Sequence, residues 1–443
     1  MRLPYVLVLG SMLVACGARS SLEDEPSHED PPIEPACELD DRVFGDGAWM
    51  RPLGLAGTGD GAFDVAVAPD GSIVVAAPFD GGASIDCFTL SAPDVVVLKF
   101  DPNGRLHWAR QLGRSASDTM TLFAGVDVDG GVHVVGTSGH DPSIFHTILS
   151  ATGELEWSLD YPADDMGIGV IDAAFDPDGT TWAVVNFQNR LEIAGQVYDG
   201  GIDDVSSELL VEWDPQGEVR SLEFFGPGEK LRQLERGANG IQVRRISRGW
   251  SSPPTVEVRR NGSVLWSQEG TQADSLMRIV GDQLVEGTRP ALEDEPWVRS
   301  RAVDTGELLW ESPIVVQWEG DEDQGHWPPY AASIAPVAGG WVVAASLLDS
   351  VNLGTGWVSS AGSFDGLLAR LGPQGEPIAV RTIGGPGVNG IRDIAPLPDG
   401  RIVVALMSDE PIDLGFGPAG TPCAENCNQH ILAVMSPPAP DAR

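Results

Sequence analysis

Phe63-Asp64-Val65-Ala66-Val67-Ala68-Pro69-Asp70-Gly71-Ser72-Ile73-Val74-Val75 is an apolar run, a tight turn and a second apolar run. Pro presets its own φ and Gly supplies a positive one, so Pro-Asp-Gly between two such runs is hairpin chemistry. The phrase returns along the chain. Its turn is Asp129-Gly130-Gly131 within 126–135 and Asp176-Pro177-Asp178-Gly179 within 173–185. It is Ala338-Gly339-Gly340 within 334–344 and Pro398-Asp399-Gly400 within 394–405, with fainter copies near 231–243 and 276–284.

A second phrase follows each first one: a strand, a turn ending in Gly, and a strand that often opens on Trp. The clearest copy runs Val95-Val96-Val97-Leu98-Lys99-Phe100-Asp101-Pro102-Asn103-Gly104-Arg105-Leu106-His107-Trp108. Trp49, Trp108, Trp157, Trp266 and Trp310 recur at one position of this phrase, which reads as packing of an outer strand. Two hairpins make a four-stranded antiparallel unit, and regular self-similarity marks a repeat architecture.

Seven sets of three strands begin near Phe63, Phe123, Val170, Leu231, Leu276, Ala332 and Ile391, but only six fourth strands follow them. The seventh is at the other end of the chain, where Ala48-Trp49-Met50-Arg51-Pro52-Leu53-Gly54 matches Trp108-Ala109-Arg110-Gln111-Leu112-Gly113. The expectation is an all-β, seven-bladed β-propeller over residues 47–437, with a tail at 438–443. Its last blade takes its fourth strand from the N-terminus, which removes an exposed sheet edge. The copies at 227–315 are degenerate, so six or eight blades stay open.

The first residues address the chain. Arg2 precedes a run from Pro4 to Ala15 that is almost wholly apolar and too short to span a bilayer, as in a signal peptide at 1–15. Leu13-Val14-Ala15-Cys16-Gly17 resembles the bacterial lipobox. That resemblance implies a diacylglyceryl group on Cys16, membrane anchoring through acyl chains, and, because Gly17 is not Asp, the outer membrane of the cell envelope. Residues 16–46 read as a tether: 22–41 holds nine acidic residues and four Pro with no hydrophobic period.

Four further cysteines, Cys37, Cys87, Cys423 and Cys427, are an even number in an exported chain. Three pairings are open; Cys423–Cys427 with Cys37–Cys87 is favoured because the first pair is local. A zinc site at Cys423 and Cys427 is the rival, although no second ligand pair lies near.

Net charge is −38, from 65 acidic and 27 basic residues, which excludes nucleic acid as a partner. Antiparallel order puts the short, Gly-locked turns at one end of the ring and the long loops at the other, so the long-loop face is the expected binding face. It is acidic: Asp60, Asp80, Asp86, Asp164, Asp165, Asp203, Asp204, Asp349, Asp365, Asp409 and Asp413. One loop places acids between two indoles, and Trp318, Asp321, Asp323, His326 and Trp327 are its candidate ligand-binding residues for a cation, a basic peptide or a sugar.

No catalytic residue, metal site or cofactor is predicted. The chain has no G-x-S-x-G elbow, H-E-x-x-H, Walker A or strand-following G-x-G-x-x-G. His140, Asp141 and His146 read as one surface loop, and Asp127 and Asp176 as turn acceptors without a calcium series.

Between the two phrases several copies carry an apolar-acidic run and a Gly-rich patch, as in Ile412-Asp413-Leu414-Gly415-Phe416-Gly417 and Val351-Asn352-Leu353-Gly354-Thr355-Gly356. This resembles the propeller repeat of predicted myxobacterial lipoproteins and, more distantly, pyrroloquinoline-quinone-like and WD40-like propellers. The resemblance implies fold and export, not chemistry. The expected function is a binding or scaffolding module for a protein, peptide or glycan at the envelope. A quinoprotein-like enzyme and a purely structural component are the alternatives.

Overall fold

The computed structural model describes residues 47–439, less 56–62, 80–83, 86–87, 90–92, 115–120, 139–141, 164–166, 201–205, 227, 249–253, 270–275, 288–295, 314, 318–330, 349, 363, 415–417, 419 and 421–427. Cys16, Cys37, Cys87, Cys423, Cys427, Trp318, Asp321, Asp323, His326 and Trp327 all lie outside the described residues.

Seven four-stranded antiparallel sheets follow one another as blades. In the first, the inner strand Asp64–Val67 pairs with Ile73–Phe79, which pairs with Asp94–Phe100 and then the outer Leu106–Gln111. The inner strands of blades two to seven are Leu122–Val126, Gly169–Phe175, Glu229–Gly237, Leu276–Val280, Ala331–Val337 and Asn389–Pro396. All seven inner strands contribute to the wall of one central cavity.

The outer strand of the seventh blade is Trp49–Leu55, paired antiparallel with Gln429–Met435 so that Trp49 faces Val434 and Met50 faces Ala433. The ring is therefore closed by the N-terminal strand, as the odd strand count required. Seven blades settle the count that the degenerate repeats had left open.

Middle strands are apolar on both faces because both are covered: every residue of Ile73–Phe79, Ile402–Ser408 and Gln429–Met435 is buried. Their side chains meet those of the next blade, and one apolar cluster fills each of the seven seams. Outer strands are the wettest, and most residues of Leu155–Pro162 and Ser263–Glu269 are exposed.

A repeated lock joins the blades. Each tryptophan of the second phrase lies on the turn glycine of the following blade: Trp49 on Gly104, Trp108 on Gly153, Trp157 on Gly217, Trp266 on Gly306 and Trp310 on Gly375. A Cβ on Gly104 or Gly153 would sit 2.6 or 2.7 Å from an indole carbon, so only glycine admits the ring. Three of the five indoles also donate to a carbonyl of that same turn: Trp49 to Pro102 at 3.0 Å, Trp108 to Ala151 at 3.0 Å and Trp266 to Val303 at 2.6 Å. The recurrence of Trp in the sequence is this lock.

The turn aspartates act as local acceptors. Asp127 Oδ1 accepts from the amides of Asp129 and Gly131, and Asp214 Oδ1 from those of Gln216 and Glu218.

Candidate functional site

The axial cavity has a volume of about 680 Å³. Its middle is charged. Three inner strands share the pattern Asp-x-Ala-x-x-Pro-Asp-Gly, in which Asp64, Asp172 and Asp393 stand six residues before the turn aspartate. All three line the cavity, as do Glu235 and Arg278.

Each carboxylate reaches across a seam to the next inner strand. Asp64 Oδ2 accepts from the Ala124 amide at 2.6 Å, Asp172 Oδ2 from the Leu234 amide at 2.7 Å, and Glu235 Oε1 from the Ile279 amide at 3.3 Å. Asp393 takes the Ser333 hydroxyl of the preceding blade at 2.6 Å and the Val65 amide of the following one. The inner strand of a propeller has no sheet partner on its axial side. These side chains supply one for its orphan amides.

Held deep among seven strands, the acids resist ionisation. Burial pushes Asp172 up to about 7 and raises Glu235 and Asp393. Burial also raises Asp64 well above the carboxylate range, and the like charge of Asp393 beside it adds to the rise. Arg278 is raised in turn, by Glu235 first and then by Asp393, Asp64 and Asp172. Its guanidinium lies 3.5 Å from Glu235, and 42% of the side chain is open to the cavity. One cation thus offsets part of the charge of a four-acid ring, and burial shifts the acids toward their neutral form.

At the short-turn end a neighbouring hollow is lined by Pro69, Pro177, Pro336, Pro396 and Pro398. Of the eleven loop aspartates expected to form the acidic face, Asp365, Asp409 and Asp413 are described. Asp365 is buried and accepts from Asn389 Nδ2 at 3.3 Å, and Asp409 Oδ1 accepts from the Val388 amide at 2.8 Å. Both brace loops. The other eight lie outside the described residues.

His146 is not in a loop. It belongs to the strand Ser143–Leu149, fully buried at the seam of blades two and three. The alternation of Ile144, His146 and Ile148 was the signal that the sequence reading passed over. The ring lies 5.0 Å from Trp213, 5.1 Å from Trp157 and 6.0 Å from His133. Neither of its nitrogens has a partner, and burial drives it down to about 3. His133 is also lowered by burial; it faces Asp127 and the Thr181 hydroxyl, each at 3.3 Å. His146 is thus a neutral core residue; His140 and Asp141 lie outside the described residues.

Among the described residues no three His, Cys, Asp or Glu side chains are grouped to hold a metal ion. Sequence reasoning does not single out the channel aspartates, because the turn chemistry beside them accounts for the repeat without them. Their signal, an acid inside an otherwise apolar strand in three repeats, was present.

No family model and no curated protein matches the chain. Among solved structures it is similar to the β-propeller domain of the Trilobed protease from Pyrococcus furiosus, at 9% identity over 78% of this chain and 91% of that one, TM-score 0.45. It is similar to Kluyveromyces lactis Hsv2, at 12% identity over 81% and 97%, TM-score 0.44. A prolyl endopeptidase is 13% identical over 84% of this chain, TM-score 0.44; the match spans 49% of that enzyme, about half its length.

Proposed function

We propose that the chain is a lipoprotein of the cell envelope whose propeller is a binding or scaffolding module. Residues 1–15 are its signal peptide, Cys16 carries the lipid, 16–46 is the spacer, and the outer membrane is its address. Cys423–Cys427 and Cys37–Cys87 are its disulfides. The long-loop face engages a basic protein or peptide, or a glycan, with Trp318, Asp321, Asp323, His326 and Trp327 among its contacts.

The observation that carries this reading is the division of the chain's acids between two kinds of place. Those on the inner strands are committed to clamping the blades together. Others, Asp60, Asp80, Asp203 and Asp204 among them, fall by sequence in the long variable loops, which a rigid ring would turn together toward a cationic partner.

The test has two arms. Cys16→Ser should move the protein from the membrane fraction to the soluble or unprocessed one; unchanged fractionation removes the anchor. Wild-type protein should bind a decalysine peptide in low salt, and replacing Asp321 and Asp323 by Asn should weaken this several-fold. Equal binding of decalysine and decaglutamate rejects the acidic face.

A further inference from the structure

The tryptophan lock is absent from the seam between blades three and four. Pairing registers align Trp108, opposite Lys99, and Trp157, opposite Ile148, with Ser221, opposite Glu212. Across that seam the turn glycine is Gly262, and a Cβ there would meet nothing within 4 Å, whereas its five counterparts are covered by indole. The apolar cluster of this seam is short, from Ala174 and Val184 to Leu234 and Ile246.

A pocket of about 270 Å³ lies where the indole would be, lined by Ser221 and Gly262 themselves together with Trp182, Glu223, Gln242 and Arg244. Leu210, Arg236, Gly240 and Asn261 complete its wall. It opens beside the short turns, on the end of the ring opposite the long loops, so it is independent of the binding face argued above.

The pocket is built of buried, ordered polar groups. Arg244 is 4% exposed and Gln242 5%. Arg244 donates from Nη1 to Glu223 Oε1 and from Nε to Gln242 Oε1, each at 2.8 Å. An arginine can only donate, so the amide oxygen of Gln242 must face it and the amide nitrogen must face away. That nitrogen, Gln242 Nε2, is buried and has no hydrogen-bond partner. A buried donor left unmet is a cost that a ligand oxygen would remove.

Glu223 accepts from Arg244 at 2.8 Å, and Ser221 donates its hydroxyl out of the pocket to Glu212 at 2.6 Å. Arg236 is steered by Asp176 at 2.9 Å and lies 4.6 Å over the Trp182 ring. The unmet donor is Gln242 Nε2, and the guanidinium groups of Arg244 and Arg236, each ion-paired on one side, line the same pocket beside the apolar surface of Leu210 and Trp182. Such a set matches a ligand with charged oxygen acceptors and a compact body.

We propose that this pocket binds a small organic carboxylate of about one ring in size, its oxygens taken by Gln242 Nε2 and the guanidinium groups of Arg244 and Arg236. The third blade has exchanged a structural indole for a ligand.

Isothermal titration of the full-length protein in detergent with D-glucuronate, benzoate and, as the neutral control, D-glucose tests this. Glucuronate or benzoate should bind at least ten-fold more tightly than glucose. Ser221→Trp should restore the lock, raise the melting temperature and abolish that binding. Gln242→Leu should weaken it at least five-fold while the fold is kept. Absence of binding by both carboxylates, or binding indifferent to Ser221→Trp and Gln242→Leu, overturns the assignment; binding of glucose as tight as glucuronate overturns its charge.

Discussion

Trp49 donates its indole N–H to the carbonyl of Pro102 while its backbone pairs with Val434. One residue therefore joins the N-terminal strand, the last blade and the first. Arg401, whose guanidinium reaches the same Pro102 carbonyl at 3.1 Å and also the Gly47 carbonyl, braces this junction. These side-chain contacts reinforce the strand pairing and the apolar cluster that close the ring.

Trp49→Ala should be among the most damaging single substitutions. The side chain is 2% exposed, and truncating a buried Trp costs about 3–5 kcal/mol. Urea unfolding should show that loss. Trp357→Ala is the control: this tryptophan is 49% exposed and carries no lock, so it should shift stability by roughly 0.5 kcal/mol or less.

Gly153→Ala probes the same lock from the other side. Its Cβ would enter the Trp108 ring, and its φ of +84° disfavours any L side chain. A loss of about 2 kcal/mol or more is expected in the same assay. Gly262→Ala shares the positive φ of +81° but meets open space, so its loss should be the smaller of the two.

The channel acids make stability fall as pH rises toward neutrality. Asp172 has a folded value raised to about 7 against an ordinary value of 3.8. Between those values the folded protein holds a proton that the unfolded chain has released. Stability therefore falls as pH rises from about 4 to about 7. Asp172→Asn keeps an acceptor for the Leu234 amide and cannot ionise. The slope of unfolding free energy against pH should become less negative by up to one proton in this window.

His146 acts in the opposite sense. Its folded value is lowered to about 3 from 6.5, so below pH 6.5 the unfolded chain takes up a proton that the folded core refuses. Stability falls as pH falls, by about 2 kcal/mol between pH 6.5 and pH 5. His430, lowered to about 4 by burial, adds to the same limb. His146→Leu should make the acid limb shallower, measured by urea titration at pH 5 and pH 7.

The architecture was legible because its causes are local. Turn chemistry at Pro69-Asp70-Gly71 and its copies, Trp at a constant place, and one strand too few at Ile431 to Met435 together required a ring closed by Trp49–Leu55. The channel was less legible. Asp64, Asp172 and Asp393 sit in strands whose other residues are apolar, and only the axial position of those strands explains an acid there. His146 was misplaced because histidine in a short segment reads as polar, although a neutral imidazole fits between Trp157 and Trp213. The seam pocket could not be read from one repeat. It required the register that sets Ser221 against Trp108 and Trp157.

Closure by the N-terminal strand is the claim on which the rest depends, and amide hydrogen exchange followed by mass spectrometry tests it most directly. Peptides covering Trp49–Leu55 should be protected to the same degree as those covering Gln429–Met435, and should open together with them in denaturant. Exchange of Trp49–Leu55 within seconds while Gln429–Met435 stays protected would contradict the closed ring.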